Sequence, residues 1–307
     1  MPQPFEQLQP PIPHLGELAS LASAFAWAGS TCIYRRFGVG LRSETLNLYK
    51  NLMAIGWMGV GALAIRPELP RDPGVYLWLG FSGVVGLALG DTAFFASLRR
   101  LGAQLTSALY CLVPPMSAAI AFLQLRETMT PIELAGMTVT LAAVAAVVFY
   151  RHRGAPRLDS FGARDAFAGV VYSVIAGAAT AYCSVIMHEQ MQKTHALPGT
   201  MMRMVPAIVL LIAMSSLRRA RGGEPSTKPT RPQMLALGAA ALVGSCIGLV
   251  FYSVGMKYAK AGVATSISAT YPIWVIPIAA IFLKETVNWR AAAFTVVAVA
   301  GIALMFL

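Results

Sequence analysis

Charge is what this sequence has least of. Only 12% of its 307 residues are charged, against 57% hydrophobic. A soluble globular chain carries about 25% charged residues. Too little polar surface is left to cover a water-facing globule, so lipid is the natural solvent. Acid is scarcer than base: 13 Asp and Glu stand against 24 Lys and Arg, a formal net charge of +11. In so apolar a chain the excess points to basic loops on the cytoplasmic side of a membrane. Nucleic acid is not the expected partner, because its binders gather basic residues and exposed aromatics on a polar domain. The four cysteines, Cys32, Cys111, Cys183 and Cys246, lie singly inside apolar runs with no ligand spacing. They read as small packing residues, and no disulfide, metal or other cofactor is expected.

Catalytic motifs are missing as well. There is no Walker sequence, no HExxH and no GxSxG, which argues against ATP hydrolysis, zinc-peptidase chemistry and a hydrolase elbow in this chain. The pair Gly90-Asp91 resembles part of the GxGD pattern of intramembrane aspartyl proteases. Ala88 replaces its first glycine, and no second intramembrane Asp is there to share a proton. An enzyme is therefore not expected. The opening MPQPFEQLQPPIPHLGE has no Lys or Arg; it lacks the basic start of a signal peptide and reads as a short flexible tail.

What is present is a repeat. Residues 101–130 read LGAQLTSALYCLVPPMSAAIAFLQLRETMT, and residues 259–288 read AKAGVATSISATYPIWVIPIAAIFLKETVN. Without gaps, Pro114 falls on Pro272, Arg126 on Lys284, Glu127 on Glu285 and Thr128 on Thr286. Upstream, Leu79-Gly80 falls on Leu237-Gly238, Gly86 on Gly244 and Gly90 on Gly248. Each copy begins with small residues, carries a proline midway and ends in a basic-Glu-Thr turn. A repeat this long implies two related halves, here residues 1–153 and 154–307.

A spanning helix needs about 20 mostly apolar residues. Ten stretches qualify, which predicts an all-α integral membrane protein. The first half offers Leu15–Tyr34, Thr45–Ile65, Gly74–Leu98, Leu105–Leu125 and Pro131–Tyr150. The second offers Asp165–Met187, Gly199–Leu217, Gln233–Lys257, Val263–Leu283 and Trp289–Leu307. Connections are short except Arg151–Arg164 and Arg218–Arg231. Five is odd, so the second half enters the membrane inverted, an architecture used by secondary transporters. The loops on one side hold 16 Lys and Arg, those on the other 6; with Lys50 and Arg203 inside spans they make up the 24. The positive-inside rule places the richer side in the cytoplasm and both termini outside.

A charge near the bilayer centre costs roughly 2.5–3.5 kcal/mol on insertion scales, so intramembrane ions draw attention first. Lys50 lies about 8 Å inside the second span, and Asp91 about 10 Å inside the third, which runs the other way. The depths match, and an ion pair is expected, acting either as a structural pairing or as a gate that opens when substrate competes for Lys50. Arg203 takes in the second half roughly the place of Lys50, but Leu249 stands where a mirror of Asp91 would be. Arg203 either holds an anionic substrate group in a cavity or snorkels to the interface beside Glu189.

Neutral polar residues at midplane form a second group: Trp27, Tyr110, Ser173 and Tyr182 in one part of the chain, Tyr252, Ser268, Tyr271 and Trp274 in another. Most such residues pack helices. Tyr110 and Ser268 stand out, because each lies four residues before a proline, Pro114 (followed by Pro115) or Pro272. An interior proline removes the bond to that carbonyl, and a freed carbonyl must face protein or water. Kinks at these prolines are therefore expected near the substrate path. Glu127 and Glu285 read as caps and dipole partners of the helix that follows each. His188 and Glu189 read as interfacial residues, with a proton relay as the sharper alternative.

Ten spans, inverted halves and Pro-containing fourth and ninth spans ending in (R/K)ET resemble the EamA family of the drug/metabolite transporter superfamily. GDTAFFASLRRLGA at 90–103 resembles the family's segment between the third and fourth spans, and YSVGMKYAKAG at 252–262 is its weaker counterpart. The resemblance implies a ten-helix transporter with a central cavity that opens to one side at a time. Relatives move amino acids and other small metabolites, sugar phosphates or nucleotide sugars. The family's usual arginine early in the second span is Lys50 here, which loses the bidentate geometry, while Arg203 keeps that type in the second half. The expectation is a secondary transporter that exports an amino acid or related polar or amphipathic metabolite across a bacterial cytoplasmic membrane. A sugar-phosphate or organic-anion exchanger is the nearest alternative, and a non-transporting scaffold or sensor the alternative of another class. The partners expected are a small-molecule substrate and membrane lipid, with one chain sufficient as a monomer.

Overall fold

The computed structural model describes residues 12–125, 130–154, 163–222, 227–259, 264 and 267–304. The expected N-terminal tail before Ile12, the Arg126-Glu127-Thr128 turn, and parts of the Arg151–Arg164 and Arg218–Arg231 connections lie outside the described residues. Among the described residues the secondary structure is helical throughout. The first half contains α1 (Leu15–Phe37), α2 (Ser43–Ile65), α3 (Pro73–Ser82), a π-helical stretch Gly83–Gly90, α4 (Asp91–Leu109), a 3-10 turn Tyr110–Leu112, α5 (Val113–Leu125) and α6 (Pro131–Gly154). The second contains α7 (Ala163–Met191), α8 (Ala196–Ala220), α9 (Arg231–Ala240), a π-helical stretch Ala241–Gly248, α10 (Leu249–Tyr258), α11 (Tyr271–Phe282) and α12 (Trp289–Leu304).

Among the described residues, five helical runs are long and apolar enough to cross a membrane: residues 43–65, 73–120, 164–191, 196–220 and 231–258. Shorter apolar helices cover 134–147, 271–282 and 289–304. The run of 48 residues is not one rod. Gly102 interrupts it at φ 81 and ψ 175, a conformation open essentially to glycine alone. This break separates the predicted third and fourth spans.

Local chemistry sets several helix starts. Asp72 Oδ1 accepts the Gly74 N–H at 2.8 Å, with Pro73 in the first turn of α3. Thr230 and Gln233 form a capping box on α9, the Thr230 N–H donating to Gln233 Oε1 at 2.9 Å. Glu285 corrects its expected role. It caps no part of α12; its Oε1 accepts the Ala103 N–H at 3.2 Å, across the halves, where the chain resumes helix after Gly102. The start of α12 is served by Asn288, whose Oδ1 accepts the Arg290 N–H at 3.1 Å. The carboxylate serves a helix start that the fold brings beside it, not the one that follows it in sequence.

The proline expectations also need revision. Pro272 does not kink a helix interior; it sits in the first turn of α11, where a missing N–H costs nothing. The interior prolines are Pro277 and Pro206. Pro114 and Pro115 open α5 directly after the 3-10 turn. That turn uses the Tyr110 carbonyl, which accepts the Val113 N–H and so is not free.

The two halves pack crosswise. Helix α1 lies against α9, the second π stretch, α10 and α11. Helix α7 lies against α3, the first π stretch, α4 and α5, while α8 packs on α2, α3 and the first π stretch. The last helices of the halves, α6 and α12, pack on each other. Lipid offers little hydrophobic drive between helices, so close contact through small residues does the work. Gly83 is the sharpest case. A Cβ there would lie 1.8 Å from the Arg203 carbonyl oxygen.

One end of the bundle gathers the ends of several basic segments. Arg35 Nη1 donates to the Arg99 carbonyl at 3.1 Å, and Arg36 Nη1 to the Phe282 carbonyl at 2.7 Å. Arg218 pairs with Glu44, and Gln233 Nε2 reaches the Phe37 carbonyl at 3.1 Å. At the other end, Lys257 Nζ donates to the Thr194 carbonyl at 3.0 Å.

Candidate functional site

A cavity of about 190 Å³ lies where the halves meet. Its charged lining residues are Lys50, Asp91 and Arg203. Lys50 and Asp91 come together as an ion pair, Nζ donating to Oδ2. Lys50 is 5% exposed, and its Nζ also lies 5.8 Å from the centre of the Phe95 ring. The pair is carried by neighbouring helices of one half, at the point where the π stretch hands over to α4. Asn47, one turn before Lys50, braces that point. Its Nδ2 donates to the carbonyls of Leu87 at 2.8 Å and Ala88 at 3.0 Å and to Thr92 Oγ1 at 2.9 Å. A π-helical ladder leaves carbonyls poorly served by the backbone, and this amide supplies the donor.

Arg203 does not snorkel. It is 4% exposed, and Glu189 is paired instead with Lys193 at 3.2 Å. Its Nε donates to Ser82 Oγ at 2.9 Å, and its Nη1 has no hydrogen-bond partner. No acid forms an ion pair with it among the described residues. Gly86 makes room for the guanidinium: a Cβ there would lie 3.4 Å from Nη2 and 3.1 Å from Cys183 Sγ. At the matching place in the second π stretch, Gly244 presents its carbonyl to Trp27 Nε1 at 3.1 Å.

Of the neutral candidates, Trp27, Tyr110, Tyr252, Ser268 and Tyr271 line the cavity, as does Pro114. The rings of Trp27 and Tyr252 lie 5.1 Å apart, and Tyr252 Oη meets Ser184 Oγ at 3.2 Å. Tyr110 stands edge-on to Tyr271 at 6.1 Å and to Phe94 at 5.1 Å. Tyr271 Oη is buried without a hydrogen-bond partner. Ser268 Oγ meets Ser23 Oγ at 3.3 Å. Tyr182 lies outside the lining, edge-on to Phe81. Trp274 packs on Phe25 at 5.8 Å, and Ser173 is buried away from the cavity. Pro115 and Pro272 are not in the wall either.

Sequence reasoning missed Tyr34, Phe94, Phe95, Thr180 and Ser245, which also line the cavity. Tyr34 Oη meets Ser245 Oγ at 3.3 Å, and its ring stands edge-on to Phe95 at 5.2 Å. Nothing in an apolar span separates a cavity-facing Phe from a lipid-facing one. Asn47 carried a usable signal, standing three residues before Lys50 and hence on the same helix face. All four cysteines are free, and no His, Cys, Asp and Glu group able to hold a metal occurs among the described residues.

Long apolar helices that pack crosswise around a charged, aromatic-lined cavity are the architecture of a multi-pass membrane protein, and the likeness of the chain to known transporters makes it a transporter rather than an enzyme. The model of the EamA-like transporter family matches residues 14–149 and again 167–307, and the chain belongs to that family. An uncharacterized transporter from Archaeoglobus fulgidus is 24% identical over 291 residues, 94% of this chain and 97% of the relative. A protein of known crystal structure shares the fold with a TM-score of 0.70, at 16% identity over 94% of this chain and 95% of that one.

Proposed function

We propose that this chain is a secondary transporter that exports a small amphipathic metabolite, of amino-acid kind and size, across the cytoplasmic membrane of a bacterium. The chain crosses ten times, as two inverted five-span halves with both termini outside. The observation that carries the reading is the cavity itself: it lies between the halves and contains the two cations and the carboxylate of the spans. Its wall draws on α1, α2, α4 and α5 of one half and on α7, α8, α10 and α11 of the other. Each half's first helices pack on the other half's third span, so the bodies that tilt to open the cavity to one side at a time are these interleaved bundles rather than the sequence halves. Lys50 and Asp91 act as the gate: a substrate that competes for either charge loosens the contact between α2 and α4.

Counterflow in proteoliposomes tests this. Vesicles preloaded with an unlabelled amino acid or organic acid should accumulate the labelled solute transiently and saturably. Lys50→Ala should slow exchange at least tenfold. Folded protein that exchanges no member of a broad panel, or a Lys50→Ala variant that exchanges like wild type, would overturn the carrier and the gate readings respectively.

A further inference from the structure

Resting on the carrier reading, the charge balance of the cavity narrows its solute. Lys50 and Asp91 neutralise each other, and Arg203 is left with its positive charge, a partnerless Nη1 and no ion-pairing acid among the described residues. A buried charge without a partner is costly. The group that best completes the site is one negative charge, and a carboxylate fits the guanidinium fork. An ammonium has no comparable vacancy, since its natural acceptor, Asp91, is already taken by Lys50. A phosphate dianion would leave one charge too many.

The rest of the wall describes the body of the solute. The Trp27–Tyr252 pair lines the same cavity as Arg203, Gly86 and Cys183. Phe94, Tyr110 and Tyr271, edge to face, line it too. Flat aromatic walls favour a flat apolar body. Tyr271 Oη, buried without a partner, offers one hydrogen bond at this part of the cavity. We infer that the cavity recognises its solute as an organic monoanion, a carboxylate held by Arg203 on a flat apolar body, with no requirement for an α-ammonium group.

The test uses four probes that share a ring: L-phenylalanine, 3-phenylpropanoate, phenethylamine and phenylalaninamide. Binding to the purified full chain is measured by calorimetry, and exchange by counterflow. The expected result is that 3-phenylpropanoate binds at least as well as phenylalanine and that the two amines without a carboxylate do not bind. Arg203→Gln should weaken 3-phenylpropanoate about tenfold to a hundredfold, the range for a charge-assisted hydrogen bond. Arg203→Lys, which keeps the charge and guards against misfolding, should retain an intermediate affinity. If phenethylamine binds and 3-phenylpropanoate does not, or only the intact zwitterion binds, the inference falls while the carrier stands. If none of the four binds to folded protein, the inference falls too. Arg203-dependent binding of 3-phenylpropanoate without any exchange would keep the inference and overturn the carrier.

Discussion

Replacing Gly83 with Ala adds one methyl group at the closest approach to any glycine among the described residues. The new Cβ would lie 1.8 Å from the Arg203 carbonyl oxygen, 2.6 Å from its carbon and 2.8 Å from its Cα. All three are backbone atoms, so no side-chain rotation relieves the clash. Helix α8 and the π stretch must part by roughly 1 Å, and overpacking of this kind costs about 1–3 kcal/mol. Against it stands the gain of Ala over Gly within a helix, about 1 kcal/mol. The net loss is about 0–2 kcal/mol against wild type, and about 1–3 kcal/mol against a Gly→Ala change that has the propensity gain without the clash, or roughly 2–12 °C in unfolding temperature at about 2–4 °C per kcal/mol. The shift also carries Arg203 away from Ser82, the residue next to Gly83, whose Oγ holds its Nε at 2.9 Å. Thermal unfolding in detergent and 3-phenylpropanoate binding should fall together. Gly59→Ala is the control, because a Cβ there meets nothing within 4 Å. If Gly83→Ala were as stable as Gly59→Ala and bound the probe like wild type, the close crossing would not position Arg203.

Three further outcomes follow from the same contacts. Lys50→Met strands the Asp91 carboxylate and should cost about 3–5 kcal/mol, while Lys50→Met with Asp91→Leu should recover most of that; unfolding curves of the single and double variants check it. Gly102→Ala forces a side chain into a glycine-only conformation and should lose about 1–3 kcal/mol in the same assay. Glu285→Ala should lose about 1 kcal/mol by uncapping the helix at Ala103, and Glu285→Gln, which keeps an acceptor, should lose less.

The match in depth between Lys50 and Asp91 was legible because helix rise is constant and the two spans run in opposite directions. The isolation of Arg203 was legible from the repeat, which places Leu249 where an acid would be. What the repeat could not convey was the course of the backbone. Gly86 and Gly244 mark the π stretches only in hindsight, since an added hydrogen-bond register leaves no pattern in an all-apolar run. Pro272 and Pro277 are equally plausible kinks by composition, and the start of α11 decides between them. Glu285 was assigned to its neighbour in sequence because its partner, Ala103, is made available by a break at Gly102 that only tertiary structure explains. Cavity aromatics such as Phe94 and Tyr34 were hidden for a different reason: in a membrane protein the outside is as apolar as the inside.

The crosswise packing has a consequence for how the molecule is made. A ribosome that has delivered residue 154 has completed a half whose α1 and α3 surfaces still lack most of their neighbours, which are α7, α8, α9, α10 and α11. The first half must therefore wait in the bilayer, inserted but unassembled, until the second emerges. Two separately synthesised halves would each be an unfinished product, and only their meeting in one membrane would yield the cavity.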